Sequence, residues 1–243
     1  MLYVMKHHLK TIMLIIFCFL SYRSIGLAMD STEEGKISEV SEHKLSKNMV
    51  FLASSMPDND WWQALWHDPK GVVLSLGVES SMVALDLCCG DGYFTAPLAQ
   101  ATLKTYGLEL DGELLEKACK EAERLDIKNC LWIQGDAMEI DKLVPEKVDF
   151  ILLANTFHGI PDKETLGKSM LSTLKPGGEL AVVNWHKRQR EETTVLGLPR
   201  GPKSEMRMTP SEVDDILRPL GFTLQRIIEL PPYHYGAVFT KLR

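Results

Sequence analysis

Short apolar runs alternate along most of this chain with longer stretches that place an apolar residue every three or four positions. Met82–Leu87 (MVALDL) is unbroken in its hydrophobic spine and ends at a glycine-rich turn. That is how a strand buried on both faces of a parallel sheet reads. Thr105–Leu110, Cys130–Gln134, Val148–Ala154 and Glu179–Trp185 repeat the pattern. Helices are expected between them, at Tyr93–Thr102, Gly112–Leu125 and Lys163–Leu174. In the second of these, Leu114, Leu115, Ala118, Ala122 and Leu125 fall on one face. The third stops at KPGG, where Pro176 cannot continue a helix and Gly177 can turn left-handed. Thr209 and Pro210 supply the N-cap and first position of a last helix. Two closing runs, Thr223–Leu230 and Gly236–Lys241, flank Pro231-Pro232 and predict an antiparallel hairpin. The whole alternation predicts an open, largely parallel sheet with helices on both faces. Ligands of such sheets sit beyond the carboxyl ends of the strands, at the switch point of strand order.

The first part of the chain breaks this rhythm. Lys6 and Lys10 precede the apolar run TIMLIIFCFL, and small residues lead to Ala28, the layout of a signal peptide over residues 1–28. The run is short for a transmembrane helix, and a start at Met29 or Met49 would remove it. Residues 29–48 read as a polar linker, and 49–243 as the folded domain with a helical cap at its N-terminus. Within that cap Met49–Ser55 reads as helix, Asp58 or Asn59 caps a short helix carrying Trp61, Trp62 and Trp66, and Asp68-Pro69 opens another.

Charge and cysteine content narrow the picture. A net charge of −6 over 243 residues disfavours nucleic acid as a partner, and membrane contact is expected only through the N-terminal apolar run. Five cysteines without CxxC spacing suggest neither a disulfide framework nor a zinc site, and no metal is expected.

The candidate chemistry begins at LDLCCGDGYF, where Asp86, Cys88, Gly90 and Gly92 alternate on a strand-to-helix turn. A nicotinamide or flavin fingerprint requires a third glycine three residues after Gly92, where this chain has Thr95. Asp86 and Asp91 also make the loop acidic, which suits a cationic ligand better than a pyrophosphate. With an acidic residue followed by alternating glycines, ALDLCCGDGYFTAPLA resembles the glycine motif of the class I S-adenosylmethionine-dependent methyltransferases, with Cys88 in place of the first glycine. The resemblance spans about residues 82–222 and includes LKPGGELAVV. It implies a Rossmann-like α/β fold: a seven-stranded, mostly parallel sheet with helices on both faces and a C-terminal antiparallel hairpin. It implies S-adenosylmethionine as cofactor. Gly90 and Gly92 would approach its methionine moiety and Asp86 its amino group. Glu109, with Leu110 beside it, would take the ribose hydroxyls, Asp136 the adenine amino group with Ala137 against the ring, and Asn155 would line the sulfonium end. Cys88 is a small residue, so its substitution for glycine reads as mild.

The expected activity is methyl transfer to a small-molecule acceptor, in the broad group that contains quinone-biosynthesis C-methyltransferases. His158, past the fourth strand, and His186, past the fifth, are the candidate catalytic residues, packing or capping being the alternative for His158. The long segment after His186 carries Arg188, Arg190, Arg200, Lys203 and Arg207 and reads as a lid able to recognise an anionic acceptor. The three early tryptophans are either an aromatic wall over that acceptor or core packing, and Tyr233, His234 and Tyr235 either line the acceptor pocket or form an ordinary turn. Two rival readings are a cofactor-binding module without transferase activity and, disfavoured by Thr95, a nicotinamide oxidoreductase. Because the methyl donor is made in the cytosol, a cytoplasmic domain, possible membrane tether included, is favoured over an exported one.

Overall fold

The computed structural model describes residues 59–241. The apolar run, the linker and the helix expected over Met49–Ser55 lie outside them. Two short helices, α1 (Asn59–Leu65) and α2 (Pro69–Ser75), come first. Asp68 caps α2 by accepting the Gly71 N–H at 2.8 Å, with Pro69 at a position that needs no donor. Then β1 (Val83–Leu87), α3 (Thr95–Ala101), β2 (Lys104–Glu109), α4 (Gly112–Arg124) and β3 (Cys130–Gln134) follow in strict alternation. They are succeeded by α5 (Ile140–Leu143), β4 (Val148–Ala154), α6 (Lys163–Thr173) and β5 (Leu174–Trp185). A small hairpin of β6 (Thr194–Val195) and β7 (Leu198–Pro199) interrupts the segment after β5. The capping box of Thr209 and Glu212 then starts α7 (Pro210–Leu217), and β8 (Phe222–Leu230) and β9 (His234–Lys241) close the chain.

Seven strands form one sheet in the order β3-β2-β1-β4-β5-β9-β8. All neighbours from β3 to β5 are parallel, and β9 inserts antiparallel between β5 and β8. The expected seven-stranded α/β sheet with its C-terminal hairpin is therefore present. Strand order reverses between β1 and β4, which puts the ligand crevice beyond Leu87 and Ala154. One expectation needs correcting. KPGG does not merely end α6: β5 already begins at Leu174, and the stretch is a strand irregularity opposite Val148–Phe150. Lys175 holds it, its ammonium 2.8 and 2.9 Å from the Asp149 carboxylate, which also accepts the Val83 N–H.

Strand alternation divides the interior into two cores. Val83, Leu85 and Leu87 of β1 pack with the α5–α7 side, whereas Ala84 joins Phe150, Val183 and the tryptophans of α1. Asp86 shares the face of Ala84, under α3. That placement is what sets up its chemistry.

Candidate active site

The turn leaving β1 is held by backbone geometry that few side chains tolerate. Cys88, Gly90 and Gly92 take φ values of +58°, +58° and +86°. Cys89 N–H donates to Leu108 C=O and Gly92 N–H to Cys89 C=O, both at 3.0 Å, which curls the loop over the end of β2. Gly92 is doubly constrained: beyond its left-handed φ, a Cβ there would lie 2.9 Å from the Ala118 Cβ on α4. Cys88 is not the mild replacement its size suggested. A non-glycine residue in left-handed geometry costs about 1–2 kcal/mol, and this one sits where the resemblance places a glycine.

Glu109, at the end of β2, locks that loop. Its Oε2 accepts the Gly90 N–H at 2.9 Å, and its Oε1 accepts the N–H groups of Leu110 and Asp111 at 2.8 and 3.0 Å. Leu110 itself is exposed beside it. Asp86 is 2% exposed and accepts the Thr95 hydroxyl at 2.6 Å. Burial pushes its carboxyl up to about 7 against that hydrogen bond, and Glu109 and Asp91 raise it further. Asp136 caps the turn 137–139 by accepting the Met138 N–H at 2.9 Å, with Ala137 buried behind it. Asn155, past β4, is held at φ +57° by its N–H bond to Val183 C=O, and its side-chain Oδ1 is buried without a partner. Asp91 Oδ1 is in the same condition. Four carboxylates, Asp86, Asp91, Glu109 and Asp136, thus stand around one glycine loop, Asp91 with its Oδ1 orphaned, and Asn155 adds a second orphaned acceptor at the end of the neighbouring β4. Such a site fits a cationic ligand carrying an ammonium and a sulfonium, because it supplies counter-charge and open lone pairs.

A family description, methyltransferase domain, matches residues 78–216, more than half of the chain. The chain belongs to this family, the class I S-adenosylmethionine-dependent methyltransferases. Among curated relatives, the demethylmenaquinone methyltransferase of Oceanobacillus iheyensis is 25% identical over 172 residues, covering 69% of this chain and 67% of that protein. The Staphylococcus aureus protein of the same name is 31% identical over 112 residues, 45% of each chain. The chain spans about half the length of most of the curated relatives it matches. Among solved structures, a SAM-dependent methyltransferase from Aquifex aeolicus superposes with a TM-score of 0.64 at 24% identity, over 76% of this chain and 94% of that one. The N-methyltransferase NodS from Bradyrhizobium japonicum, in complex with S-adenosyl-L-homocysteine, gives 0.61 at 15% identity, over 83% and 98%. At those identities the two structures speak for the fold alone.

The methyltransferase domain places its two candidate catalytic histidines differently. His158, on the turn Phe157–Gly159 after β4, is buried, with Nδ1 3.5 Å from Asn184 Oδ1. Burial lowers its pKa to about 4, so the imidazole is neutral at neutral pH. His186, just past β5, is engaged by the C-terminal hairpin: its Nε2 lies 2.9 Å from Glu229 Oε2 on β8, and its ring lies 5.4 Å from that of Tyr235. Tyr235 in turn donates its hydroxyl to Met208 C=O at 2.8 Å. The four thiols of the described residues are unpaired. Burial raises Cys88 and Cys89 far above the ordinary thiol and Cys130 to about 12, so none is poised as a nucleophile.

The tryptophans are buried, and they also adjoin the loop. Trp61 and Trp62 stack at 4.6 Å, Trp62 stacks on Tyr93, and Trp66 meets Phe94 edge-on at 5.5 Å. Tyr93 and Phe94 directly follow Gly92, so the aromatic cluster starts where the glycine loop ends. It continues through Trp185, 6.5 Å from Trp61, to Tyr233 and His234. The expected lid segment is tied down against it. Arg190 N–H donates to Ser204 Oγ and its Nε to Gly201 C=O, while Arg207 donates to Pro202 C=O, Arg200 C=O and Thr193 Oγ1. Sequence reasoning used Thr95 only as a missing glycine and overlooked Thr193, Trp185 and Trp132. Trp132 lies under the loop, its ring 2.6 Å from where a Gly107 Cβ would be. A threonine one step into the helix after a glycine loop, below a strand-end aspartate, was the available signal. Among the described residues no group of His, Cys, Asp and Glu is arranged to hold a metal ion.

Proposed function

We propose that this protein methylates a small-molecule acceptor, using S-adenosylmethionine held by Asp86, Gly90, Gly92, Glu109, Asp136 and Asn155. The observation that carries this reading is the convergence of buried, unpartnered acceptors (Asn155 Oδ1 and Asp91 Oδ1) with Asp86 at the switch point of the sheet. When bound, the cofactor supplies an electrophilic methyl group on a sulfonium. The residues of the chain do the rest. Glu109 keeps the Gly90 and Leu110 amides in place and presents a carboxylate for paired hydroxyl donors. Asp86 supplies buried counter-charge, and the Thr95 hydroxyl fixes which way its carboxylate faces. Asn155 offers its free carbonyl oxygen at the mouth of the crevice.

His158 is a neutral imidazole on the turn after β4, able to hydrogen-bond and orient an acceptor; with its pKa lowered to about 4 it is a weak base, so its part is positioning rather than proton removal. A small, planar acceptor agrees with the aromatic wall beginning at Tyr93 and with the names of the curated relatives, which are demethylmenaquinone methyltransferases. Calorimetric titration of the full chain tests the reading, with S-adenosylmethionine, S-adenosylhomocysteine and NADH. Binding of the first two, weakened in Glu109→Ala, is expected. Binding of NADH alone would sink the proposal. Release of S-adenosylhomocysteine on adding an acceptor then separates an enzyme from a binding module.

A further inference from the structure

Ten buried side-chain nitrogen or oxygen atoms lack a hydrogen-bond partner among the described residues, and six of them lie on one connected cluster. They are Nε1 of Trp61, Nε1 of Trp66, Nε of Arg200, Nη1 of Arg207 and both ring nitrogens of His234. The contacts that join them are short. His234 lies between Trp66 and Trp185, at 4.4 and 4.2 Å. The Arg207 guanidinium covers Trp185 at 5.2 Å, and that of Arg200 covers Trp61 at 5.5 Å. Four of the six atoms can only donate, and a neutral imidazole adds one donor and one acceptor.

Burial alone does not explain this arrangement. Each buried donor left unmade costs about 1–3 kcal/mol, and folding by itself offers nothing in return for gathering several together. Arg207 is the sharpest case. It is 2% exposed, among the largest fully buried side chains, and no carboxylate of the described residues pairs with it. Its two bonded nitrogens reach neutral oxygens only. Arg188 and Arg190 add like-charge repulsion, offset in part by Glu191 and Glu192 acting from beyond hydrogen-bond reach. A buried guanidinium with no carboxylate bonded to it is tolerated when an anion completes it.

We propose that this cluster is the acceptor site and that it binds a planar aromatic oxyanion, a molecule with a carboxylate or phenolate-type oxygen on a flat ring. Arg207 and Arg200 meet the oxyanion, the indole N–H groups and His234 meet further oxygens, and the edges of the Trp61 and Trp185 rings border the acceptor. Arginine over indole already shows how cation and ring share this space. The proposal rests on the methyltransferase reading and adds the class of acceptor to it.

The test is calorimetry on the full chain, with and without saturating S-adenosylhomocysteine, using 2-naphthoate, its neutral amide 2-naphthamide and inorganic phosphate as probes. Naphthoate is expected to bind at least about tenfold tighter than the amide, a difference of about 1.4 kcal/mol. Arg207→Gln and Arg200→Gln should each weaken naphthoate about tenfold or more and leave the affinity for S-adenosylhomocysteine within about twofold. The Arg200 variant decides the matter if the Arg207 variant fails to fold, because the loop is held by the Arg200 backbone, not its guanidinium. Equal binding of acid and amide, or naphthoate binding unchanged by the substitutions, would overturn the proposal. Phosphate as tight as naphthoate would overturn its aromatic half. Failure to bind S-adenosylhomocysteine with naphthoate still preferred would instead fault the cofactor reading.

Discussion

The two ends of this site are built with opposite polarity. Around the glycine loop the buried, unsatisfied atoms are acceptors, Asp91 Oδ1 and Asn155 Oδ1, set among Asp86, Glu109 and Asp136. Around Trp185 they are mostly donors, and the charged groups are arginines. The first end awaits a cation and the second an anion. The ends also differ in what holds them. The glycine loop is fixed by its own backbone conformation and by amide bonds to Glu109. The tryptophan cluster is fixed by packing between segments far apart in the chain. A change at one end should therefore leave ligand binding at the other nearly intact, and that separation can be attacked directly.

The largest effect is expected at Gly92. Gly92→Ala places a Cβ 2.9 Å from the Ala118 Cβ and 3.2 Å from its Cα, at a φ of +86°. Left-handed strain and overpacking together cost about 2–5 kcal/mol. Chemical denaturation should show that loss, and S-adenosylhomocysteine binding should disappear in calorimetry. Retained binding at wild-type strength would mean that the loop is not the cofactor site. Glu109→Ala comes next. It removes the acceptor of three amides as well as the carboxylate. Loss of one charge-assisted interaction is worth about 1.5–3 kcal/mol, so affinity for the cofactor should fall roughly 10- to 100-fold, while naphthoate binding stays unchanged. Equal losses of both ligands would merge the two ends into one.

The unequal legibility of the ends in the sequence follows from how each is assembled. Asp86 to Gly92 is one continuous stretch on a strand-to-helix turn, so order and spacing alone place the loop. Glu109 ends β2, and Asp136 and Asn155 lie just past β3 and β4, strands that apolar periodicity located closely. The aromatic cluster draws on residues 61–66, 185, 200–207 and 234, and no local pattern links them. Arg207 looked like one of five equivalent charges on a lid segment, and only the tertiary fold singles it out by burying it. His186 ended a strand on the expected side of the molecule, yet its partner Glu229 arrives from β8, which periodicity could not pair with it. KPGG misled for a local reason: proline and glycine forbid helix, and they also permit an irregular strand beside β4. Cys88 showed its size in the sequence but not its backbone angle.

Titration offers a milder probe of the acidic end. Asp86 is raised to about 7 in the folded protein, chiefly by burial. A raised carboxyl stabilises the fold fully below the unfolded value of about 3.9, and that contribution is lost as pH rises through 7. A cationic ligand reverses the preference, because it favours the ionised carboxylate. Affinity for S-adenosylmethionine should therefore rise with pH and level off above 7. Between pH 8 and pH 6 the change should be about tenfold. Asp86→Asn should bind more weakly and lose the pH dependence. His158, lowered to about 4, acts in the opposite sense on stability: its contribution is complete above about 6.5 and is lost as pH falls through 4. Thermal melts of the Asp86 variant should consequently show only the acid-side loss. A wild-type affinity flat from pH 6 to 8 would remove Asp86 from the cofactor's contacts.

The smallest effect expected is also the one that isolates backbone from chemistry. Cys88 holds φ +58° with a half-buried side chain whose thiol stays protonated. Cys88→Gly should recover about 1–2 kcal/mol of left-handed strain and give back about 0.5–1 kcal/mol through the freer unfolded chain. The net gain is about 0–1.5 kcal/mol, a rise in Tm of at most roughly 6 °C for a chain of this size. Cofactor affinity should hold or improve slightly, since the glycine preserves the loop that Glu109 already fixes. Naphthoate binding at the far end should not move. A loss of stability would show that the thiol's packing against the core outweighs the strain of its backbone. In that case cysteine at this position is a packing element of the acidic end, and the loop is held by side chains as much as the tryptophan cluster is.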